Sequence, residues 1–350
     1  MSRKIKVAAA QVGSVHIDSD RKETVQRLIA LMKTAASSGA QLVVYPETAF
    51  TTFFPRHLMS KAEVERLFFE KGDDITQSEN VKEFFDAAHS LGIDVCIGYG
   101  ELTSAGENYN TCVYYSGKQG KVLSKYRKIH LPGTSEPYEN PDAINQLEKR
   151  YFRPGNLGFE AFRVPDLVSN ALKQSDTTTT TMTKTDMAGK GDPIVGMIIC
   201  NDRRWPESWR ALGLQGVELV LCGYNTPSFA PDLYGDPEMD QEAAERKAYF
   251  YHKLVMEYNS YANSCYSISA ARAGLDDGKY GLIGGSAIVD PMGQTIAEAK
   301  GTGDEVVVAE IDLALCRYGK KASFDFDRHR RIEAYGILSS QTGVVEPPLL

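Results

Sequence analysis

Apolar and polar positions alternate along the chain with two different periods. Residues 6–12 form an apolar run that predicts a first strand, and Asp20 with Glu23 is typical of a helix start. The apolar positions that follow keep the spacing of one helix face: Val25, Leu28, Ile29, Met32 and Ala36. Gly39 is a plausible helix end, and residues 41–45 predict the next strand. This order of strand, helix and strand indicates an α/β arrangement.

The same order returns later in the chain, interrupted by hairpins. A second apolar helix face precedes a strand at 93–99 and comprises Val81, Phe84, Phe85, Ala88 and Leu91. Residues 109–115 and 121–126 predict a hairpin across SGKQG. The later predicted elements are strands at 194–200, 217–222 and 265–270, helices at about 206–214 and 241–261, and three further strands within IGGSAIVDPMGQTIAEA and VVVAEIDL. The pattern favours one α/β domain with mixed sheets over two separate domains.

One internal segment does not fit either period. Residues from about 167 to 192 include the polar, Thr-rich stretch SNALKQSDTTTTTMTKTDMAGKGD. Such a stretch cannot bury enough apolar surface to offset the entropy lost on ordering. We therefore expect a flexible surface insertion there, with a phosphorylation or interaction role as the alternative to an inert one.

The overall composition excludes several classes of protein. The 350 residues are 42% hydrophobic and 24% charged, and the net charge is -7, with a pI near 5.5. An acidic chain without a basic block is a poor match for nucleic acid. No apolar run is long enough to predict a membrane span, and the apolar part of MSRKIKVAAAQVG is too short for a signal peptide. These features predict a cytoplasmic protein that binds neither nucleic acid nor membrane.

The cysteines predict neither a disulfide framework nor a metal site. The six lie at positions 96, 112, 200, 222, 265 and 316, and none forms a CxxC pair. No paired Cys or His has the spacing of a zinc site, so the sequence does not predict one. Five of the thiols lie in apolar or strand-like surroundings, and Cys200 is the exception.

Three residues with reactive or charged side chains follow apolar strands. They are Glu47, Lys128 and Cys200. Taken singly, each has an ordinary alternative: a solvated carboxylate, a lysine reaching solvent, and an inert thiol. Together they form a coherent set, because a cysteine attacks only as thiolate and needs a base. Glu47 could take the thiol proton and later activate water, while Lys128 and a backbone N–H after the nucleophile could stabilise an oxyanion.

The stretches that carry these residues resemble the nitrilase, or carbon–nitrogen hydrolase, superfamily. They are VVYPETAFTTFFPR, KYRKIHLPG and MIICNDRRWPESWR, supported in order by LEKRYFRPGNLGF and CGYNTP. The likeness runs from about residue 7 to 313 and extends to N-carbamoyl-D-amino-acid amidohydrolases. It implies a single-domain, four-layer α-β-β-α sandwich over residues 1–320 that uses no cofactor. It also implies a homodimer or homotetramer, in which a C-terminal tail at 321–350 packs on a partner subunit.

The resemblance also implies a substrate pocket and a fourth catalytic residue. Arg203 and Arg204 match positions that bind a substrate carboxylate, although either could instead pair with Asp202 or Glu207 and support the loop. Glu148 matches a second carboxylate beside the triad, or else forms a surface pair with Lys149 or Arg150. The remaining pocket positions are His130, Asn201, Asn225 and Thr226. His130 could bind substrate, fix the lysine loop or simply pack, and Gln146 stands where the related enzymes commonly carry histidine.

These observations predict a thiol amidohydrolase for a small amide that bears a carboxylate. The expected substrate is an N-carbamoyl-(D-)amino acid, cleaved to amino acid, carbon dioxide and ammonia. A β-ureidopropionase-like enzyme, an aliphatic amidase or a nitrilase are the alternatives within the same chemistry. A non-catalytic binding module is the alternative outside it, although such a module would need none of the three reactive residues.

Overall fold

The computed structural model describes residues 2–169, 189, 191–235, 238 and 240–349. Its strands are β1 (Lys4–Gln11), β2 (Leu42–Val44), β3 (Phe69–Lys71), β4 (Asp94–Leu102), β5 (Asn108–Ser116), β6 (Lys121–Arg127), β7 (Phe162–Arg163), β8 (Ile194–Ile199), β9 (Leu219–Tyr224), β10 (Tyr266–Ala271), β11 (Ala273–Asp276), β12 (Tyr280–Ile283), β13 (Ala287–Val289), β14 (Thr295–Glu298) and β15 (Glu305–Asp312). Its α-helices are α1 (Arg21–Ser37), α2 (Lys61–Phe68), α3 (Lys82–Leu91), α4 (Glu148–Tyr151), α5 (Pro206–Gly213), α6 (Pro231–Tyr234), α7 (Gln241–Asn263), α8 (Cys316–Lys321), α9 (Phe326–His329) and α10 (Ile337–Ser340).

The strands form two large mixed sheets and one small hairpin. The first sheet has the order β15-β1-β2-β4-β5-β6, with β3 paired to β4, and the second has the order β14-β13-β10-β9-β8-β7. Strands joined through a helix are parallel, as in β1–β2 and β8–β9, whereas β4–β5 and β5–β6 are antiparallel hairpins. β11 pairs with β12 as a separate two-stranded ribbon.

Alternating side chains on β1 show how the layers are stacked. Val7 and Ala9 point into the core shared with the second sheet, whereas Ala8 and Ala10 point to a second core that contains Leu28 of α1. Helices α1 and α3 therefore cover the outer face of the first sheet. The core of the second sheet includes the apolar faces of α5 and α7, through Trp209, Leu212 and Met256. The result is the α-β-β-α sandwich of one domain, and the predicted fold class is confirmed.

Two glycines let the sheets close around the chain segment that carries Glu47. A Cβ added at Gly98 of β4 would lie 2.7 Å from Cα of Glu47. A Cβ added at Gly223 of β9 would lie 2.7 Å from the backbone N of Glu47. Real Cβ atoms do not approach backbone so closely, so both positions require glycine. Glu47 is thereby held at the seam between the two sheets.

Several local features differ from the sequence-based prediction. Leu167 and Val168, expected at the start of the Thr-rich insertion, are buried in the inter-sheet core. Residues 170–188 and 190 of that stretch lie outside the described residues. Helix α7 runs two residues further than predicted, and α2, β3 and the β11–β12 ribbon were not predicted. Their segments are too short or too irregular to show a clear period.

The C-terminal segment packs in part on its own chain. The ring of Phe324 lies edge-on to Tyr261 of α7, and the guanidinium of Arg210 lies over the ring of Phe326. Packing of this segment on a partner subunit stays a prediction. None of the helices described here is both long and apolar enough to cross a bilayer.

Candidate active site

Glu47 is fully buried just beyond β2, and its carboxylate is held from three directions. Oε1 accepts hydrogen bonds from Asn110 Nδ2 and Lys128 Nζ, both at 2.6 Å. Oε2 accepts from the backbone N–H of Asn225 at 3.1 Å, and the Asn225 amide donates to the Glu47 carbonyl at 2.9 Å. These partners come from β5 and from the ends of β6 and β9, so both sheets fix the carboxylate.

Lys128 joins two buried carboxylates. Its Nζ lies 2.6 Å from Oε1 of Glu47 and 2.6 Å from Oε2 of Glu148, and all three side chains are inaccessible to solvent. The other Glu148 oxygen accepts from Gln146 Nε2 at 2.8 Å. The alternative of a surface pair for Glu148 is therefore wrong, and Arg150 pairs instead with Glu136. A lysine held in this way is an immobile cation at the site.

Cys200 stands at the sharp turn where β8 ends. Its backbone is left-handed, with φ 47°, which is uncommon for a residue with a side chain. The turn ends the strand and begins a short 3-10 helix, Cys200–Arg204. The thiol is buried, and Sγ donates to the carbonyl of Asn225 at 3.4 Å. Backbone strain at a reactive side chain is typical of functional positions, because surrounding contacts must maintain it.

The electrostatic environment of the site explains why the thiol requires a base. Burial, and then the charge of Glu47, raises the pKa of Cys200 to about 11, although Lys128 and Arg203 oppose that shift. Burial and the Glu47 charge likewise raise the pKa of Glu148 to about 7. Burial lowers the pKa of Lys128, but the facing thiol and carboxylates raise it on balance, so it remains an ammonium. The resting nucleophile is therefore a neutral thiol beside a fixed cation.

Asp202 ties the nucleophile turn to the lysine loop, and sequence reasoning did not find this role. Its Oδ1 accepts from the backbone N–H and from Nδ1 of His130, at 2.9 and 2.8 Å. Its Oδ2 accepts from Tyr126 Oη at 2.8 Å and from the N–H of Ile199 at 3.1 Å. His130 thus fixes the lysine loop, and its ring also stacks on Trp205 at 4.9 Å.

The two arginines that follow the nucleophile occupy different environments. Arg203 is buried and donates to the Cys200 carbonyl and to Thr226 Oγ1, both at 2.7 Å. Arg204 is half-buried and donates to the hydroxyl of Tyr234 at 3.3 Å. Neither forms the alternative ion pair with Asp202 or Glu207. Both arginines line the cavity beside Cys200, but both terminal nitrogens of Arg203 already donate to protein groups.

A small cavity adjoins the thiol. Its volume is about 30 Å³, and its walls include Gln146, Cys200, Asn201, Arg203, Arg204 and Asn225. Asn201 also donates to the carbonyl of His130 at 3.1 Å, so its amide is partly engaged. Of the predicted pocket residues, Asn225 and Thr226 contact protein groups as well as lining the cavity. The described residues contain no cluster of three His, Cys, Asp or Glu side chains arranged to hold a metal ion.

The structure brings Glu47, Lys128, Glu148 and Cys200 to one place. Sequence reasoning missed Asn110 and the role of Asp202. The sequence signal for Asn110 was weak, because its strand, NYNTCVYYS, also contains the polar residues Asn108, Thr111 and Ser116. No sequence signal distinguished the two arginines, because their different burial depends on the folded turn that follows β8.

Comparison with known proteins assigns the family. Residues 6–321 match the model of the carbon–nitrogen hydrolase family. The chain is 29% identical to a nitrilase of Pyrococcus abyssi, with 95% of this chain and 99% of the relative covered. It is 26% identical to an N-carbamoylputrescine amidase of Oryza sativa (97% and 96% covered) and 26% identical to a citrullinase of Francisella tularensis (95% and 96% covered).

A solved structure shows the same fold. The carbon–nitrogen hydrolase of Helicobacter pylori superposes with a TM-score of 0.73 at 22% identity, covering 96% of this chain and 98% of that chain. The family match spans nearly the whole chain, and the buried carboxylate, ammonium and thiol lie inside it. The protein therefore belongs to the carbon–nitrogen hydrolase family and hydrolyses carbon–nitrogen bonds.

Proposed function

We propose that the protein removes the carbamoyl group from N-carbamoyl amino acids, preferring the D-enantiomer. The observation that carries this proposal is that the Cys200 thiol and the Arg204 guanidinium line the same cavity. A guanidinium fork matches a carboxylate, and an adjacent nucleophile would then face the ureido carbon. The preference for the D-enantiomer rests on the resemblance of the five sequence stretches alone. The cavity has room for about one water, so binding moves part of its wall outward.

The first half of the reaction forms a covalent intermediate. Glu47 takes the thiol proton as Sγ of Cys200 bonds to the carbamoyl carbon, and the carbonyl electrons move to oxygen. The Lys128 ammonium and the backbone N–H of Asn201 stabilise this oxyanion. Collapse of the intermediate breaks one carbon–nitrogen bond, and the departing nitrogen recovers the proton from Glu47. Either ammonia or the amino acid leaves, and a thioester-like adduct remains on Cys200.

The second half restores the enzyme. A water gives its proton to Glu47 and attacks the adduct carbon. The carbon–sulfur bond then breaks, and the thiolate takes the proton back. The released carbamate decomposes to carbon dioxide and the second nitrogen product. Lys128 remains charged throughout and holds the same oxygen in both halves, consistent with its two carboxylate partners.

The named activities of two relatives support a carbamoyl substrate. One is an N-carbamoylputrescine amidase and the other a citrullinase. The part of the substrate beyond the ureido group is what Arg204 would distinguish. Its positive charge favours a carboxylate over an amine, because an ammonium beside a half-buried guanidinium would be repelled. We therefore infer an acidic ureido substrate for this chain and not a cationic one.

A substrate panel tests the proposal. N-carbamoyl-D- and L-amino acids, N-carbamoylputrescine, β-ureidopropionate, simple aliphatic amides and nitriles are incubated with the protein, and ammonia and amine products are quantified separately. The proposal expects the highest kcat/KM for an N-carbamoyl amino acid, with equal amounts of amino acid and ammonia. Higher kcat/KM on neutral amides or nitriles would assign an amidase or nitrilase. No turnover on any of them, together with an unreactive Cys200, would assign a binding module.

A further inference from the structure

The guanidinium of Arg203 lies beside the reactive sulfur. Its Nη1 is 3.7 Å from Cys200 Sγ while it donates to the carbonyl of the same residue at 2.7 Å. Nη2 donates to Thr226 Oγ1 at 2.7 Å, and the residue is 1% exposed. Arg203 forms no hydrogen bond or ion pair with a carboxylate among the described residues. Its charge therefore acts on the sulfur in a poorly solvated site.

A stack of two rings fixes the plane of this guanidinium. The Arg203 guanidinium carbon lies 4.5 Å from the ring centre of Tyr224. The ring of His252 stacks on the other side of Tyr224, with centres 4.3 Å apart and planes 26° apart. The hydroxyl of Tyr224 donates to the carbonyl of Gly284 at 2.6 Å, so the middle ring cannot slide. Burial, and then the charge of Arg203, lowers the pKa of His252, so the stack carries only the charge of Arg203.

The charges that face Cys200 come from four side chains. The carboxylates of Glu47 and Glu148 disfavour a thiolate, and the cations Lys128 and Arg203 favour it. Lys128 already shares its ammonium between the two carboxylates at 2.6 Å each. Arg203 is thus the cation whose charge is not shared with a carboxylate. It is also the cation with a direct contact to Sγ.

We propose that Arg203 stabilises the thiolate of Cys200, both when it forms and when it leaves, while Arg204 alone binds the substrate carboxylate. Tyr224 and His252 are positioning residues that act through Arg203. This inference rests on the proposed function for the role of Arg204, but the role of Arg203 needs only a nucleophilic cysteine. It assigns different roles to two adjacent arginines that the sequence pattern did not distinguish.

The test measures the reactivity of Cys200 without substrate. The pH dependence of its alkylation by iodoacetamide is followed by peptide mass spectrometry on the wild-type protein and on Arg203→Gln, Arg203→Lys and Arg204→Gln. We expect Arg203→Gln to raise the midpoint of the profile by about one pH unit, and Arg203→Lys to raise it less. In turnover, Arg203→Gln should lower kcat about 10- to 100-fold with KM changed less than about threefold. Arg204→Gln should raise KM about tenfold or more and leave the alkylation midpoint in place.

Two results would overturn the inference. An unchanged alkylation midpoint in a folded Arg203→Gln protein would show that the guanidinium does not support the thiolate. A large rise in KM for Arg203→Gln with normal alkylation would make Arg203 a substrate ligand. Should Arg203→Gln fail to fold, Tyr224→Leu and Tyr224→Phe take its place. Tyr224→Leu, which loses the ring, should raise the alkylation midpoint more than Tyr224→Phe, which loses only the hydroxyl. Equal midpoints in the two variants would contradict the ring stack. A shifted midpoint without turnover of any carbamoyl amino acid would refute the proposed substrate and leave this inference intact.

Discussion

Lys128 places its ammonium 2.6 Å from Oε1 of Glu47, although 81 residues separate the two in the chain. The same nitrogen lies 2.6 Å from Glu148, so two inaccessible carboxylates share one cation. A buried carboxylate that loses its partner cation is strongly destabilising. The arrangement fixes a positive charge next to the thiol and keeps a base available at the same time.

Removal of the central ammonium should therefore unfold the site as well as inactivate it. Lys128→Met would leave Glu47 and Glu148 buried without their cation, and we expect a loss of about 3–5 kcal/mol in the free energy of unfolding and no detectable turnover. Urea unfolding followed by circular dichroism measures the first, and ammonia release the second. Lys4→Met, which removes an exposed partner of Glu310, serves as the control and should leave both quantities nearly unchanged. A Lys128→Met protein as stable as the control would contradict the pairing.

The ionisation of Glu148 should appear in the pH profile. Its pKa is raised to about 7, first by burial and then by Glu47. Its oxygens accept hydrogen bonds from Lys128 and Gln146, so the ionised form matches the structure. We expect kcat/KM to fall as the pH drops below about 7, because protonation weakens the hold on Lys128. In Glu148→Gln the inflection near pH 7 should vanish and the rate should be low at all pH values. A profile that rises on acidification would instead make Glu148 a proton donor.

Asp202 should matter as much as a member of the triad. The variant Asp202→Asn keeps the shape of the side chain but cannot accept all four of its present hydrogen bonds. We expect a loss of about 1–3 kcal/mol in unfolding free energy and a lower kcat, because the nucleophile turn loses its tie to the lysine loop. Tyr126→Phe removes one of these bonds and should cost about 1 kcal/mol. Equal stability of Asp202→Asn and the wild-type protein would refute this anchoring role.

The exposed side of α7 gives a specific prediction about assembly. Phe250, Leu254 and Tyr258 lie four residues apart and are 58%, 48% and 59% exposed. Such an apolar stripe is typical of a protein interface. We propose that two copies of the chain pair across it, and expect Leu254→Arg to give monomers in sedimentation analysis. His252, on the opposite side of the helix, is buried, so the substitution should leave the fold in place. A wild-type protein that is monomeric at micromolar concentration would contradict the pairing.

The sequence predicted the fold and the central residues well, for identifiable reasons. The apolar faces of α1 and α3 and the apolar strands predicted the architecture, because burial of side chains determines the spacing of apolar residues in both. Glu47, Lys128 and Cys200 were found because each follows an apolar strand, and strand ends of packed sheets converge.

The misses have a common physical cause. The different burial of Arg203 and Arg204, which both line the cavity, depends on the turn at Cys200. The bonds of Asp202 depend on contacts between segments more than 70 residues apart. Local sequence patterns contain no information about such long-range pairings, and only the folded arrangement of the two sheets supplies it.

The most direct test of the central claim is to identify the covalent intermediate. Wild-type protein and Glu47→Gln are mixed with an N-carbamoyl-D-amino acid, quenched in acid during turnover, and digested for peptide mass spectrometry. The account predicts an adduct on the peptide that contains Cys200, either a carbamoyl group or the whole carbamoyl amino acid less ammonia, and no such adduct in Cys200→Ala. Wild-type ammonia release by Cys200→Ala, or an adduct on another residue, would contradict it.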